Sequence, residues 1–115
     1  GRESDMYISG GSNIYPREIE EKTLAHPAIA EVAVLGVPDP VWGEVGAMVC
    51  VLREGQSLEE AELLGWLEDK MARYKLPRRI FFWDALPRSG YGKITKKLVR
   101  DALAERGCLP LQAAS

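Results

Sequence analysis

The sequence predicts an α+β domain, in which a small, mostly antiparallel sheet is flanked by helices in the order β-β-α-β-β-α-β-α. Short β-branched runs alternate with segments whose apolar residues recur at helical spacing, and glycine or proline separates most of them. With 115 residues, 46% hydrophobic and 28% charged, the chain has the size and composition of one globular domain. This composition excludes a disordered chain, and no stretch approaches the ~20 apolar residues of a membrane-spanning helix.

The first elements are two short strands and a helix. Residues 5–9 and 13–15 alternate apolar and polar side chains on either side of a glycine pair, which predicts a turn between two strands. Pro16 suits the first position of a helix, because its missing N–H would be unpaired there in any case. We expect this helix to end near Ala25.

The next elements are an antiparallel pair of strands. Residues 31–37 and 46–53 are β-branched runs with short apolar stretches. The proline, tryptophan and glycine residues between them, over 38–44, predict a long connecting loop.

A second helix and a fifth strand follow. The sequence Ser-Leu-Glu-Glu at 57–60 matches a capping box, and apolar residues then continue at helical spacing, which predicts a helix over 58–73. Residues 79–84 are rich in aromatic side chains, which predicts a strand buried on both faces.

The last helix is predicted to begin after Thr95, which suits an N-cap, and to stop at Gly107. The chain beyond it has no pattern of its own. We therefore expect one domain over 1–108 and a flexible tail over 109–115.

The charges are divided unevenly along the chain. Residues 73–100 contain nine Lys or Arg and one acid, whereas residues 1–72 contain five bases and fourteen acids. Such a division is typical either of a face that binds anions or of a solvated, salt-bridged surface. Cys50, Cys108 and His26 have no metal-ligand spacing, so we expect no metal site, reduced thiols and a cytoplasmic protein.

Lys93 lies at the end of a glycine-punctuated loop, directly before the last helix. Glycines let a backbone approach a phosphate closely, and an ammonium group there is a point charge for an oxyanion. A phosphate-binding P-loop is excluded, because Pro87 and Ile94 stand where that motif needs Gly and Ser or Thr. Taken alone, this loop is also compatible with a solvated surface lysine.

Five ordered motifs carry a resemblance to a known family. They lie at residues 1–20 (GRESDMYISGGSNIYPREIE), 26–34 (HPAIAEVAV), 38–44 (PDPVWGE), 74–77 (YKLP) and 86–94 (LPRSGYGKI). Together they resemble the C-terminal domain of the adenylate-forming enzymes, the superfamily of acyl-CoA synthetases, peptide-synthetase adenylation domains and firefly luciferase. The version of the first motif is most similar to that of fatty-acid or aryl-acid CoA ligases.

The resemblance implies a two-step ligase. A small carboxylic acid reacts with ATP to give acyl-adenylate and pyrophosphate, and coenzyme A then displaces AMP to form a thioester. The chain would be the mobile C-terminal domain of that enzyme, inactive alone. Its partner would be its own N-terminal domain, which binds most of the ATP and Mg²⁺. The acid itself is not specified by these residues. Two alternatives are a carrier-protein-loading adenylation domain and, more distantly, a basic nucleic-acid-binding module; the family resemblance implies no nucleic acid.

The resemblance also implies roles for individual residues. Lys93 matches the adenylation lysine, Arg2 the arginine beside the ribose, and Gly10 and Gly11 the wall of the pantetheine channel. Trp42 matches a position that stacks on the adenine of coenzyme A, or it is a rim aromatic packed on its own domain. Ser4 stands at the hinge, where the family usually has Asp or Lys. The candidate contacts of the coenzyme A phosphates are Tyr74, Lys75, Arg78 and Arg79, whereas Lys96, Lys97 and Arg100 are expected to be solvated helix surface.

Overall fold

A computed structural model describes residues 5–112, and it contains five strands and three α-helices within that range. The strands are β1 (Tyr7–Ser9), β2 (Ser12–Ile14), β3 (Ile29–Asp39), β4 (Gly43–Leu52) and β5 (Arg79–Phe82). The helices are α1 (Pro16–Leu24), α2 (Glu60–Glu68) and α3 (Lys96–Glu105), and a 3₁₀ turn lies at Arg73–Lys75.

All five strands belong to one sheet, in which β4 has the most neighbours. The order is β2-β1-β4-β3, and β5 also pairs with β4. The β3–β4 ladder is antiparallel and extends from Ile29 opposite Leu52 to Asp39 opposite Gly43. The β1–β2 and β1–β4 pairs are antiparallel too, whereas β5 runs parallel to β4. The predicted α+β class with a mostly antiparallel sheet is therefore confirmed.

Apolar side chains form a core on each face of the sheet. One cluster joins α1 and α2 to the sheet and includes Ile19, Val34, Met48 and Leu67. The other cluster joins α3 to the opposite face, and Val99 and Leu103 are among its members. Because Ile80 and Phe82 contact the first cluster while Phe81 and Trp83 contact the second, the strand is covered on both faces, as predicted.

Tyr7 shows how closely β1 and its neighbours are packed. Its ring lies against Gly36 and its hydroxyl against Gly46, and a Cβ at either glycine would overlap it. Burial raises the pKa of the Tyr7 hydroxyl, which has no hydrogen-bond partner in the part of the chain that is described. Glycine at both positions is what lets this large side chain fill the space.

The second helix is shorter than predicted at both ends. It begins after Glu59 rather than Ser57, because Glu59 and Glu62 make the reciprocal capping bonds. It ends at Glu68 instead of continuing to residue 73, and Lys70 N–H turns back to the Leu67 carbonyl. The 3₁₀ turn follows, and extended backbone at Leu76 leads into the next proline.

The predicted long loop between β3 and β4 is wrong. The ladder continues through Asp39 and Gly43, so only three residues connect the strands. The Asp39 carboxylate accepts hydrogen bonds from the backbone N–H groups of Val41 and Trp42, and Gly43 adopts a φ of +83°. These features close a tight turn where proline and glycine alone indicated a loop.

The last described residues pack against the rest of the fold. Leu109 and Leu111 pack against the second core cluster, and the Arg79 guanidinium donates to the Gln112 carbonyl. The domain boundary at residue 108 remains a prediction. In the described range, none of the helices is long and apolar enough to cross a membrane.

Candidate functional site

A cavity of about 400 Å³ opens where three parts of the fold meet, and we call it the Gly10 cavity. The β1–β2 turn contributes Gly10, the start of β4 and the turn before it contribute Trp42 and Gly46, and the chain around the 3₁₀ turn contributes Tyr74 and Arg78. Its walls combine aromatic rings, exposed backbone and guanidinium groups. Such a surface fits a ligand that has both apolar and anionic parts.

Trp42 and Gly10 are in direct contact at the rim of this cavity. The Gly10 N–H donates to the Trp42 carbonyl at 2.9 Å, and the indole lies so close over the glycine that a Cβ there would overlap the ring. Gly10 also has a φ of +56°, a conformation that disfavours a side chain. About half of the surface of residue Trp42 remains exposed. Trp42 therefore packs on its own domain and still presents a free ring surface.

Asp39 holds the Trp42 turn in place and links it to Arg78. Its carboxylate accepts from the Trp42 N–H at 2.9 Å and lies 3.6 Å from the Arg78 guanidinium. The backbone hydrogen bond from Trp42 is the main cause that lowers the pKa of Asp39, and the Arg78 charge adds to it. The Arg78 N–H donates to the Gly46 carbonyl at 2.7 Å, which fixes the opposite wall of the cavity.

Of the three remaining candidates for coenzyme A phosphates, only Tyr74 lies at this cavity. Tyr74 lines it and is exposed, but Lys75 and Arg79 do not line it. The Lys75 ammonium lies 3.0 Å from Glu18, and this hydrogen bond raises the pKa of Lys75. The Arg79 guanidinium lies 2.8 Å from Glu60. Both cations are therefore engaged in ion pairs within the domain.

Lys93 lies in a separate loop, residues 88–93, which we call the Lys93 loop. Its side chain is exposed and makes no hydrogen bond or ion pair with any residue in 5–112. The loop itself is closed by hydrogen bonds between Ser89 and the residues up to Lys93. Thr95 caps α3 directly afterwards by accepting the Leu98 N–H at 3.2 Å. The lysine is thus a free charge on an ordered backbone.

The basic segment 73–100 is largely neutralised by acids from elsewhere in the domain. Six of its nine cations form ion pairs with carboxylates: Lys75, Arg78, Arg79, Arg88, Lys96 and Lys97. The segment therefore does not present one continuous basic face, which argues against the nucleic-acid-binding alternative. Of the two alternatives for this segment, a salt-bridged surface describes most of it.

Two residues expected to be solvated helix surface have structural contacts instead. The Lys96 ammonium lies 2.6 Å from Glu20 and 2.5 Å from the Val34 carbonyl, and both charged side chains are mostly buried. The Arg100 guanidinium donates to the Gly36 carbonyl at 3.1 Å. Only Lys97 fits the expectation, since its pair with Asp101 is exposed. Charge alone could not separate these cases, because the acceptors are distant in sequence.

Some candidates lie outside the cavity or outside the described residues. Arg2 and Ser4 precede residue 5. Gly11 belongs to the β1–β2 turn, with a φ of +87° and open space beside it, but does not line the cavity. Arg73 does line it and was not singled out from the sequence, although it adjoins the Tyr74 motif.

Residues 5–112 contain no group of three or more His, Cys, Asp or Glu side chains that could hold a metal ion. The Cys50 thiol is buried, which raises its pKa to about 12 and keeps it protonated at neutral pH.

A match to a family model identifies the kind of domain that contains the Gly10 cavity and the Lys93 loop. The model of the AMP-binding enzyme C-terminal domain matches residues 18–93, about two thirds of the chain. The chain belongs to this family. The matched segment ends at Lys93 and contains Trp42 and the 3₁₀ turn.

Curated relatives of this AMP-binding enzyme C-terminal domain are named CoA synthases or CoA ligases. A feruloyl-CoA synthase of Amycolatopsis is 50% identical over 99 residues, which cover 86% of this chain and 20% of the relative. An indoleacetate–CoA ligase of Aromatoleum aromaticum is 49% identical over 106 residues, which cover 92% and 21%. A long-chain-fatty-acid–CoA ligase of Mycobacterium tuberculosis is 42% identical over 100 residues, which cover 87% of this chain and 20% of the relative. The chain thus spans about a fifth of the length of these relatives.

Solved structures show the same architecture. The apo structure of MatB from Rhodopseudomonas palustris matches with a TM-score of 0.85 and 39% identity, covering 92% of this chain and 21% of that one. A fatty acyl CoA synthetase of Mycobacterium tuberculosis matches with a TM-score of 0.82 and 40% identity, covering 91% and 21%. The fold of the domain is therefore that of the corresponding part of acyl-CoA synthetases.

Proposed function

We propose that this chain is the C-terminal domain of an ATP-dependent, AMP-forming acyl-CoA ligase. Such an enzyme converts a carboxylic acid, ATP and coenzyme A into acyl-CoA, AMP and pyrophosphate. The observation that carries the proposal is the family match over residues 18–93 together with relatives that are named CoA synthases or CoA ligases. The domain would act with an N-terminal domain, which would supply most of the contacts to ATP, Mg²⁺ and the acid. A cytoplasmic location remains a prediction of the sequence.

Lys93 is the proposed catalytic residue of the adenylation step. Its ammonium is exposed and has no partner in 5–112, so it is available to oxygens of the carboxylate and the α-phosphate. A positive charge fixed at that point stabilises the negative charge that develops during in-line transfer. By analogy with the loss of one oxyanion-hole donor, this is worth about 2.7–4 kcal/mol. Arg2 and Ser4 keep their proposed roles at the ribose and the hinge.

The Gly10 cavity is the proposed contact surface for coenzyme A. Gly10 leaves backbone exposed beside a long, narrow group such as pantetheine, and the free surface of Trp42 can stack on adenine. Arg78 and Arg73 line the cavity and provide charges for phosphates, with Tyr74 beside them. Coenzyme A supplies the thiol that attacks the acyl-adenylate. Gly11 contributes the turn geometry, whereas Lys75 and Arg79 would contact phosphates only by leaving their ion pairs.

The acid is proposed to be aromatic or fatty, because the relatives are named for ferulate, indoleacetate and long-chain fatty acids. The test is AMP release by the full-length protein with ATP, Mg²⁺ and each of these acids, with coenzyme A present or absent. We expect at least one acid to give AMP release that depends on coenzyme A and yields the thioester by mass spectrometry. AMP release that needs a phosphopantetheinyl carrier protein instead would assign the adenylation-domain alternative, and acid-independent turnover would contradict both.

A further inference from the structure

No contact made by the Lys93 side chain fixes the position of its ammonium group. The ammonium has no partner among residues 5–112, and its neighbour Tyr91 is 96% exposed. Gly90 and Gly92 flank that tyrosine and give the backbone wide conformational freedom. A charge that acts on one transition state must be held within a fraction of an ångström, so other groups have to order this loop.

Ser89 supplies that order through four hydrogen bonds. Its N–H donates to the Lys93 carbonyl at 2.7 Å, and its carbonyl accepts the Gly92 N–H at 2.8 Å. Its Oγ accepts the Tyr91 N–H and the Lys93 N–H, both at 3.2 Å. Both backbone polar groups of Lys93 are therefore bonded to Ser89. Two of the four bonds depend on the side-chain hydroxyl, so they can be removed without changing the backbone sequence around the lysine.

Residues before and after the hydrogen-bonded segment from Ser89 to Lys93 also contact the sheet. Arg88 donates to the Gly92 carbonyl at 3.3 Å and pairs with Glu31 on β3 at 2.5 Å. Downstream, Lys96 pairs with Glu20 and the Val34 carbonyl, which fixes the first turn of α3 three residues after Lys93. The lysine thus stands between two anchored segments, and Ser89 connects the first of them to its backbone.

We infer that Ser89 is a positioning residue for Lys93, acting through its Oγ on the backbone of the Lys93 loop during adenylation. The inference rests on the proposed role of Lys93. It involves no contact of Ser89 with substrate. Its consequence is selective: loss of the Oγ should slow the step that uses the Lys93 ammonium and leave the thioester step unchanged.

The experiment compares Ser89→Ala, Ser89→Thr and Ser57→Ala in the full-length protein. Ser57 is an exposed serine outside both regions, and its side chain makes no hydrogen bond with any residue in 5–112, so it is the matched control. The acid that supports turnover is used for ATP–pyrophosphate exchange, and its preformed acyl-adenylate for thioester formation. We expect Ser89→Ala to lower kcat of exchange about tenfold, with KM for ATP and thioester formation within twofold, because two hydrogen bonds to the loop are lost. Ser89→Thr keeps the oxygen and should retain at least half of the exchange rate, as should Ser57→Ala.

Amide hydrogen exchange at millisecond labelling times gives a second readout that needs no substrate. The Tyr91 and Lys93 amides should exchange several-fold faster in Ser89→Ala than in the wild type, whereas peptides from β3 and β4 should not change. If the Tyr91 and Lys93 amides exchange hydrogen at the same rates in Ser89→Ala as in the wild type, the inference is wrong. It is also wrong if Ser89→Ala slows both half-reactions equally.

Lys93→Ala separates this inference from the function on which it rests. If Lys93→Ala retains pyrophosphate exchange, the proposed catalytic role is wrong. If Lys93→Ala abolishes exchange while Ser89→Ala has no effect, the positioning role alone is wrong. In the double variant, Ser89→Ala should cause no further loss, because it acts only through the lysine.

Discussion

The Lys93 loop and the Gly10 cavity differ in the groups that they expose and in the contacts that fix those groups in place. The Lys93 loop presents one exposed ammonium, and the hydrogen bonds that order it run mainly along its own backbone and to Ser89. The Gly10 cavity presents a shaped surface, whose parts come from three separated segments joined by Asp39 and Arg78. One positive charge can stabilise the negative charge that develops at an α-phosphate during adenylyl transfer, whereas guiding a thiol to the adenylate requires a channel. We therefore expect substitutions in the two regions to affect different half-reactions.

The largest effect is expected from Lys93→Ala. Loss of the ammonium should reduce carboxylate-dependent pyrophosphate exchange by about a hundredfold to a thousandfold, as loss of one oxyanion donor does. Thioester formation from preformed acyl-adenylate should remain within a few-fold of wild type. Lys97→Ala is the matched control, because that lysine is on the exposed face of α3. A comparable fall in both half-reactions would remove the distinction between the regions.

Gly10→Leu should have the opposite selectivity. The side chain would overlap the Trp42 ring and occupy the rim of the cavity, so we expect about a hundredfold slower thioester formation. Pyrophosphate exchange should change by less than about threefold. Gly55→Leu is the control, since Gly55 also has a positive φ but open space beside it. If both variants slow the thioester step equally, backbone strain rather than contact with Trp42 is responsible.

Glu20→Gln tests how the Lys93 loop is anchored to the fold. It leaves the mostly buried Lys96 ammonium without its carboxylate, so the free energy of unfolding should fall by about 1–3 kcal/mol. Asp101→Asn removes the partner of exposed Lys97 and should change the free energy of unfolding by less than about 0.5 kcal/mol. Urea denaturation of the full-length protein measures both. Equal stability of the two variants would mean that Lys96 gains nothing from its partly buried position.

The smallest effect concerns Asp39 and its dependence on pH. The pKa of Asp39 is lowered in the folded protein, so its stabilising contribution is present above the ordinary Asp pKa of 3.8 and is lost as pH falls through the lowered value. The difference in Tm between wild type and Asp39→Asn should therefore be constant from pH 7 to about pH 5 and vanish in stronger acid. A difference that instead grew on acidification would contradict the lowered pKa.

Much of the fold follows from local signals in the sequence. Thr95 marks the start of α3 because its side chain caps the helix, and Pro16 marks the start of α1. Ser57 satisfies the capping-box rule, because it precedes Glu60 by three residues, but α2 is capped by Glu59, which pairs with Glu62 although glutamate is not a preferred N-cap. The rule therefore places this cap two residues too early.

The candidate site was predictable to a different degree in its two regions. The Lys93 loop is contiguous, so its glycines and lysine are visible together in the sequence. The Gly10 cavity depends on contacts between distant segments, and the sequence could not separate Arg78, which lines it, from Arg79, which pairs with Glu60. For the same reason the sequence could not show that Lys96 is paired, since its partner Glu20 lies 76 positions away.

The contacts made by Lys96, Glu20 and Arg100 have a consequence for self-association. Val34 and Gly36 lie on β3, and these three side chains bond the N–H and the carbonyl of Val34 and the carbonyl of Gly36. A strand whose outer N–H and C=O groups are free can pair with a strand of another molecule. Side chains from α1 and α3 occupy those groups and so block intermolecular strand addition. The polar contacts that anchor the domain's last helix thereby also protect an edge of the sheet from aggregation.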